Sequence, residues 1–389
     1  MKKFLRYSVS MLLIAALTFG YMAPVSSDDT MQLNCKSAIL IDATTGRVIY
    51  EKNSHEALPP ASVTKIMTML LAMEALDSGK ITMDDKVTIS KQASSRSTKG
   101  TMLLLDEGEV RTVKELLYGI AVESANDACI AMAEYIAGSE DEFVRLMNKK
   151  AEELGMKDTT FKNPNGLHID GHVTSAYDIS LMSKELLKHQ KIFDFIAKYM
   201  VTVYVGKKND IKRELVNKNK MVRFFNDVDG IKTGFTDQAK YCISVTAKRN
   251  NLRLISVIMG APDTTVRNRE ARKLLDYGFA NYTNFNVAKA GDKIKEVGIL
   301  KGDCDKINAV AEGNMSLLLM KGEEKGIQKD VKIPDKLTAP IKKGQKIGEL
   351  IVMKDNKEIA KFNLIADREV TRASLLNNLK KSFKILFGE

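Results

Sequence analysis

The chain has 389 residues, 44% hydrophobic and 28% charged, with a formal net charge of +11. This mix excludes a disordered chain, and the length exceeds what one hydrophobic core usually supports, so two domains are expected. Four scattered cysteines without a C-x-x-C pair exclude a disulfide-dense scaffold and a cysteine-bound zinc site, and 6% aromatics with no tryptophan give the positive charge no nucleic-acid motif to serve.

In chain order, Lys2, Lys3 and Arg6 precede an apolar run over 11–19 and the exit Ala23-Pro24-Val25-Ser26-Ser27. This is the pattern of a secretory signal, too short to span a bilayer, with cleavage near Ser27 and about +8 left on the mature chain. An anionic envelope or membrane surface suits that residual charge better than a nucleic acid does. Short apolar, β-branched runs over 37–42 and 47–51 flank Ala43-Thr44-Thr45-Gly46 and predict a β-hairpin. Pro59-Pro60 then end the extended chain, and apolar residues at Ile66, Met67, Met69, Leu70 and Leu71 predict a helix whose N-terminal end carries Ser62 and Lys65.

Residues three apart on a helix share a face, so the Lys65 amine reaches the Ser62 hydroxyl. A serine becomes a nucleophile when a neighbouring base takes its proton, and a lysine does so when burial or another cation lowers its pKa. The helix N-terminus also favours an oxyanion beside Ser62. By itself the pair reads more readily as a capping serine with an exposed lysine, since S-x-x-K arises often by chance on amphipathic helices.

Residues 66–190 read as mostly helical. A helical stretch over 112–136 is interrupted by Glu123-Ser124-Ala125-Asn126-Asp127, and helices over 141–154 and 176–189 bracket the loop Asn163-Pro164-Asn165-Gly166. The period then changes. Segments 200–205, 241–248 and 252–259 predict returning strands of one antiparallel sheet, closed by a helix over 270–280. From 284 onward short strands such as 314–320 and 346–353 alternate with glycine and aspartate turns and predict a separate small β-sandwich. In the final stretch, 371–389, Leu375, Leu376, Leu379, Phe383, Leu386 and Phe387 share one helical face and Lys380, Lys381 and Lys384 take the other, the pattern of an amphipathic membrane-surface helix.

Two more short motifs follow the Ser62–Lys65 pair: Ser124-Ala125-Asn126 and Lys232-Thr233-Gly234. The ordered trio resembles the signature of penicillin-recognising serine acyltransferases. Nearly the whole mature chain resembles the low-molecular-mass D-alanyl-D-alanine carboxypeptidases, including Asn163-Pro164-Asn165-Gly166-Leu167, Thr174-Ser175-Ala176-Tyr177-Asp178 and Asp229-Gly230-Ile231-Lys232-Thr233-Gly234. The resemblance implies an α/β transpeptidase-like (β-lactamase-like) domain over 28–283, with a five-stranded antiparallel sheet, helices and an all-helical subdomain. A β-rich domain over 284–370 and an anchoring helix over 371–389 follow, and 1–27 is the signal peptide. It implies Ser62 as nucleophile, Lys65 as base, Ser124 as proton relay and Asn126 as substrate and lysine holder. It implies that Lys232, Thr233, Gly234, Phe235 and Arg267 bind substrate, with the Ser62 and Phe235 N–H groups as oxyanion hole and Lys232 helping to keep Lys65 neutral; Arg267 reads equally as a solvated charge at a helix start. The implied partners are D-Ala-D-Ala stem peptides of peptidoglycan, β-lactams and the outer face of the cytoplasmic membrane; no cofactor, metal or nucleic acid is implied. Phe235 replaces a histidine of some relatives, and Lys240 stands where glycine is frequent.

Three other readings compete. A Ser-His-Asp hydrolase needs a placed histidine among His55, His168, His172 and His189; His168 and His172 are four apart as in a helical zinc pair, but they follow Asn-Pro-Asn-Gly in a loop, which favours ordinary polar histidines. A β-lactamase needs a glutamate to prime its water, and 163–172 offers only Asp170. A catalytically silent binding module is disfavoured by the intact Ser62, Lys65 and Lys232.

Overall fold

The computed structural model describes residues 31–373. Strands β1 (Ser37–Asp42) and β2 (Val48–Lys52) pair as the expected hairpin, with Ile39 opposite Glu51. Helix α1 (Lys65–Asp77) follows a tight turn over Ala61–Thr64. It is buried nearly all round from Lys65 to Ala75, as expected of a helix that is apolar on every side. It therefore runs through the centre of the molecule.

The segment after α1 departs from the helical expectation. Between 78 and 112 the chain forms loops and a short ribbon of β3 (Lys86–Thr88) and β4 (Val110–Thr112). Its run Ser94-Ser95-Arg96-Ser97-Thr98-Lys99-Gly100 has too few apolar residues to bury a helix face. Helix α2 (Val113–Tyr118) opens with a capping box between Thr112 and Glu115. One widened turn carries the chain to Ser124 at φ +70°, and α3 (Asn126–Ala137) starts afresh. The polar junction read from the sequence is thus a break between two helices. Helices α4 (Glu140–Glu153) and α5 (Ala176–Leu186) lie close to their expected bounds, capped by Ser139 and Ser175.

Strand β5 (Met200–Val205) pairs with β6 (Ile211–Val216) in a separate ribbon, so it is not a strand of the main sheet. Its alternation fixed a strand but could not name the partner. The main sheet is completed by β7 (Val228–Thr236), β8 (Lys240–Arg249) and β9 (Leu252–Ala261) in the order β2-β1-β9-β8-β7. Helix α6 (Thr264–Asn281) begins earlier than expected because Asp263 caps it.

The central strands β8 and β9 are buried in continuous runs, so helices cover both faces. Helix α5 meets β8 through Ser183 and Ser244, 2.8 Å apart. Gly278 of α6 packs against Leu254, whose register partner is Ala247. Ser244 and Ala247 are three residues apart and so point to opposite faces. The other end of the order leaves β7 as an edge strand.

Beyond α6 come β10 (Tyr282–Ala288), β11 (Lys293–Leu300), β12 (Lys306–Ala311), β13 (Met315–Met320), β14 (Ile327–Lys332), β15 (Lys336–Thr338), β16 (Lys346–Lys354) and β17 (Lys357–Ala366). A β10–β13 ribbon and a six-stranded sheet share a second core built around Val297, Ile307, Leu350, Val352 and Leu364. This matches the expected β-rich unit. Residues 371–373, expected to open the amphipathic helix, are instead extended and pair with 301–303, Arg372 bridging Gly302 and Thr371 Oγ1 donating to Asp303, because these backbone groups complete the edge of the β-rich unit. The signal segment 1–27 and residues 374–389 of the amphipathic stretch lie outside the described residues.

Candidate active site

The turn that carries Ser62 is held in an uncommon shape. Ala61 sits at φ +49°, a left-handed conformation that costs a residue with a Cβ about 1 kcal/mol or more. A hydrogen-bonded chain braces it: Thr64 Oγ1 donates to Ala61 O at 2.8 Å and lies 2.8 Å from His172 Nε2. His172 Nδ1 accepts from the Lys162 N–H at 3.0 Å, so Nε2 carries the proton and donates to Thr64. Burial lowers the His172 pKa to about 4, which keeps the ring neutral. Gly166 packs on the same corner; a Cβ there would lie 1.9 Å from Ala61 O. His172 is therefore a brace, as an ordinary polar histidine can be, and not half of a zinc pair.

Lys65 is fully buried, and its Nζ lies 3.0 Å from Ser62 Oγ, 2.7 Å from Asn126 Oδ1 and 2.6 Å from Asn165 O. The Asn126 amide is oriented by its nitrogen, which donates to Lys99 O at 2.7 Å. Two fixed acceptors thus take two amine hydrogens. When Lys65 is neutral its lone pair is left for the Ser62 hydroxyl proton. Burial brings the Lys65 pKa down to about 8. An exposed lysine, the bland reading of this position, is excluded.

Asn165 was not a candidate from the sequence as a catalytic neighbour. The signal was present in the loop Asn163-Pro164-Asn165-Gly166, because asparagine side chains shape local turns. Asn163 Oδ1 accepts from the Asn165 and Gly166 N–H groups, and Asn165 Oδ1 from that of Leu167. These bonds set the loop that presents the Asn165 carbonyl to Lys65. Asp127 does a similar service for the facing loop, its buried carboxylate accepting from the Leu103, Leu105 and Ala128 N–H groups.

Edge strand β7 brings the third motif against this corner. A Cβ on Gly234 would lie 2.9 Å from both Pro60 O and Ser62 N, so glycine permits the strand to approach the Ser62 backbone. Lys232 is buried, donates to Thr233 O at 2.9 Å, and has its pKa driven well down by burial and then by the charges of Lys65 and Arg267. The expected repulsion therefore acts on Lys232, whereas burial dominates for Lys65. The pair as a unit releases a proton more readily than either lysine does in water.

Ser124 is buried at the left-handed corner before Asn126. Thr233 is buried, and Phe235 is half-exposed with its ring 4.4 Å from that of Tyr241. Lys240 adopts φ +55°, the conformation that makes glycine frequent at this turn, so the lysine keeps the turn at some steric cost. Arg267, 5% exposed on the first turn of α6, has its guanidinium donating twice to Asn268 Oδ1. Its burial rules out a solvated charge, and no carboxylate pairs with it among the described residues. The structure thus joins Ser62, Lys65 and Asn126 by direct bonds, Gly234 by contact, and Lys232 and Arg267 by their fields.

The chain matches the D-alanyl-D-alanine carboxypeptidase family of S11 peptidases over residues 23–263, and the penicillin-binding protein 5 C-terminal domain over 282–372. It is 45% identical over 374 residues, 95% of either chain, to the D-alanyl-D-alanine carboxypeptidase DacF of Bacillus subtilis. The crystal structure of penicillin-binding protein 5 from Haemophilus influenzae is similar with a TM-score of 0.76 and 32% identity, over 88% of this chain and 99% of that one. Penicillin-binding protein D2 from Listeria monocytogenes, in a cefotaxime-bound form, is similar with a TM-score of 0.54 and 29% identity, over 64% of this chain and 98% of that one. With Ser62, Lys65 and the third-motif strand in one corner, the chain belongs to the S11 family of D-alanyl-D-alanine carboxypeptidases.

Proposed function

We propose that Ser62 attacks the carbonyl carbon of the penultimate D-alanine of a peptidoglycan stem peptide, while Lys65 Nζ takes the hydroxyl proton. The observation that carries this reading is the fully buried Lys65 amine 3.0 Å from Ser62 Oγ. The tetrahedral oxyanion is held by the Ser62 and Phe235 N–H groups. As it collapses, the proton passes through Ser124 to the departing D-alanine, and Asn126 holds both lysine and substrate backbone. Water then attacks the acyl-Ser62 ester and releases the shortened peptide.

The substrate lies along the open edge of β7, where an extended peptide can add as a strand. Its terminal carboxylate is met by Arg267, Lys232 and Thr233, and a buried guanidinium without an acidic partner supports that role. β-Lactams acylate the same serine. Their release is slow, because Asp170, the acid of the 163–172 loop, is fully exposed beside His168 and primes no water at Ser62. Export with cleavage near Ser27, a catalytic domain over 28–283, a β-rich domain over 284–370 and a peripheral membrane anchor over 371–389 complete the proposal. No described helix is long and apolar enough to cross a membrane.

The test is release of D-alanine from a peptide ending in D-Ala-D-Ala. Ser62→Ala should lower kcat/KM by about 10³-fold or more. Retention of activity within tenfold of the parent would remove Ser62 from the mechanism.

A further inference from the structure

Asp127, in the first turn of α3, is fully buried and forms no ion pair among the described residues, and burial pushes its carboxyl up. A buried carboxylate without a cation persists only where hydrogen bonds replace its water. Here the backbone supplies them. Asp127 Oδ1 accepts from the Leu103 N–H at 3.0 Å and the Ala128 N–H at 2.8 Å, and Oδ2 accepts from the Leu105 N–H at 3.1 Å. Between the two leucine donors stands Leu104 at φ +65°, with its side chain exposed. That left-handed shape costs a residue with a Cβ, and it turns neighbouring N–H groups toward one point, the arrangement that receives an anion. The chain supplies the anion itself.

The other end of the same stretch holds Asn126, the residue before Asp127. The Asn126 N–H donates to Thr101 O at 2.7 Å, and its side-chain nitrogen donates to Lys99 O at 2.7 Å. Gly100 lies between these acceptors at φ +82°, and a Cβ there would stand 2.7 Å from the Asn126 side-chain nitrogen. With its nitrogen engaged in this way, the amide turns its oxygen to Lys65. Lys99, Gly100 and Thr101 are exposed, so packing does not hold them in place. Their position depends on the hold that Asp127 has on the buried residues Leu103 and Leu105.

We propose that Asp127 is a positioning residue for the acyl transfer: its carboxylate fixes residues 99–105, which set the Asn126 amide and through it the Lys65 amine against Ser62. It touches no reacting atom. The inference rests on the reading of Lys65 as the base and names what holds that base in register. The titratable groups near this point are Lys65 on α1, Lys232 on β7 and the Cys129 thiol on α3.

The experiment is a double-mutant cycle on D-alanine release from a D-Ala-D-Ala peptide by the full chain. Asp127→Asn is nearly isosteric but turns a donor toward the Leu105 N–H. It should lower kcat/KM about tenfold or more in the parent and less than about twofold in Asn126→Ala, because the two residues act in series. Leu104→Pro cannot take φ +65° and leaves the Asp127 charge in place, so it should reproduce the loss. It should also move the acid limb of the pH profile to a midpoint below 8, since the Lys65 ammonium loses its Asn126 acceptor. This second variant decides the matter if Asp127→Asn does not fold. Equal factors in both backgrounds, a parental rate in Leu104→Pro, or an unmoved midpoint would overturn the proposal. Parental turnover in Ser62→Ala would instead remove the carboxypeptidase reading, so the two failures are distinguishable.

Discussion

The Lys65 amine, the proposed base, is held by three contacts that have different origins. The contact to Ser62 follows from helical spacing and was legible in the sequence, because residues three apart must meet. The contacts to Asn126 and Asn165 come from segments 61 and 100 residues away. For Asn126 the second motif gave the clue; for Asn165 the acceptor is a backbone carbonyl, which no side-chain pattern announces. Arg267 shows the same limit, since an arginine early in a helix reads as solvated until the packing of α6 buries it. The Lys65 pKa of about 8 has a kinetic consequence. With the neutral amine as the proposed base, kcat/KM for a D-Ala-D-Ala peptide should rise with pH to a midpoint near 8 and fall about tenfold per unit below it. A profile flat from pH 6 to 9 would contradict this role for the lysine.

At the scale of elements, the site is a corner where the Ser62 turn, the 163–166 loop and β7 converge. Hairpin β1–β2 and strands β8 and β9 were legible because their alternation or apolar runs are long. Strand β7 was seen as a motif and not as a strand: Asp229, Gly230, Lys232 and Gly234 break its pattern, and as an edge it needs one paired side. The ribbon of β3 and β4 was hidden because three-residue strands carry no period. His172 couples the 163–172 loop to the Ser62 turn, and this coupling is sensitive to acid. Its folded pKa, about 4, lies below the ordinary value of 6.5, so the unfolded chain binds the proton more readily between those values. Stability should be complete above pH 6.5 and decline as pH falls toward 4, by on the order of 3 kcal/mol from this group. Urea midpoints measured across that window should show the decline in the parent chain and lose this component in His172→Asn. An identical pH dependence in both would show that the ring does not titrate in this way.

The whole molecule is a catalytic half whose core runs through α1 and the main sheet, followed by a β-rich half with a core of its own. That division was legible in the sequence from the change of period near 284; the placement of one half against the other was not, because it depends on contacts such as Arg47 Nη1 to Leu318 O, 271 residues apart. Since the catalytic corner draws on nothing beyond α6, a mature chain ended after Val370 should keep full carboxypeptidase activity. It should also lose co-sedimentation with anionic vesicles, which the full mature chain should show with each lysine contributing roughly 1 kcal/mol near the surface. Loss of activity on truncation, with no vesicle binding by the full chain, would make 371–389 part of the fold instead of an anchor. The central claim, that Lys65 arms Ser62 for acyl transfer, is tested most directly by intact mass after exposure to benzylpenicillin. The account predicts one added drug mass, located by peptide mapping on Ser62 and absent from Ser62→Ala; an adduct on another serine, or none, would contradict it.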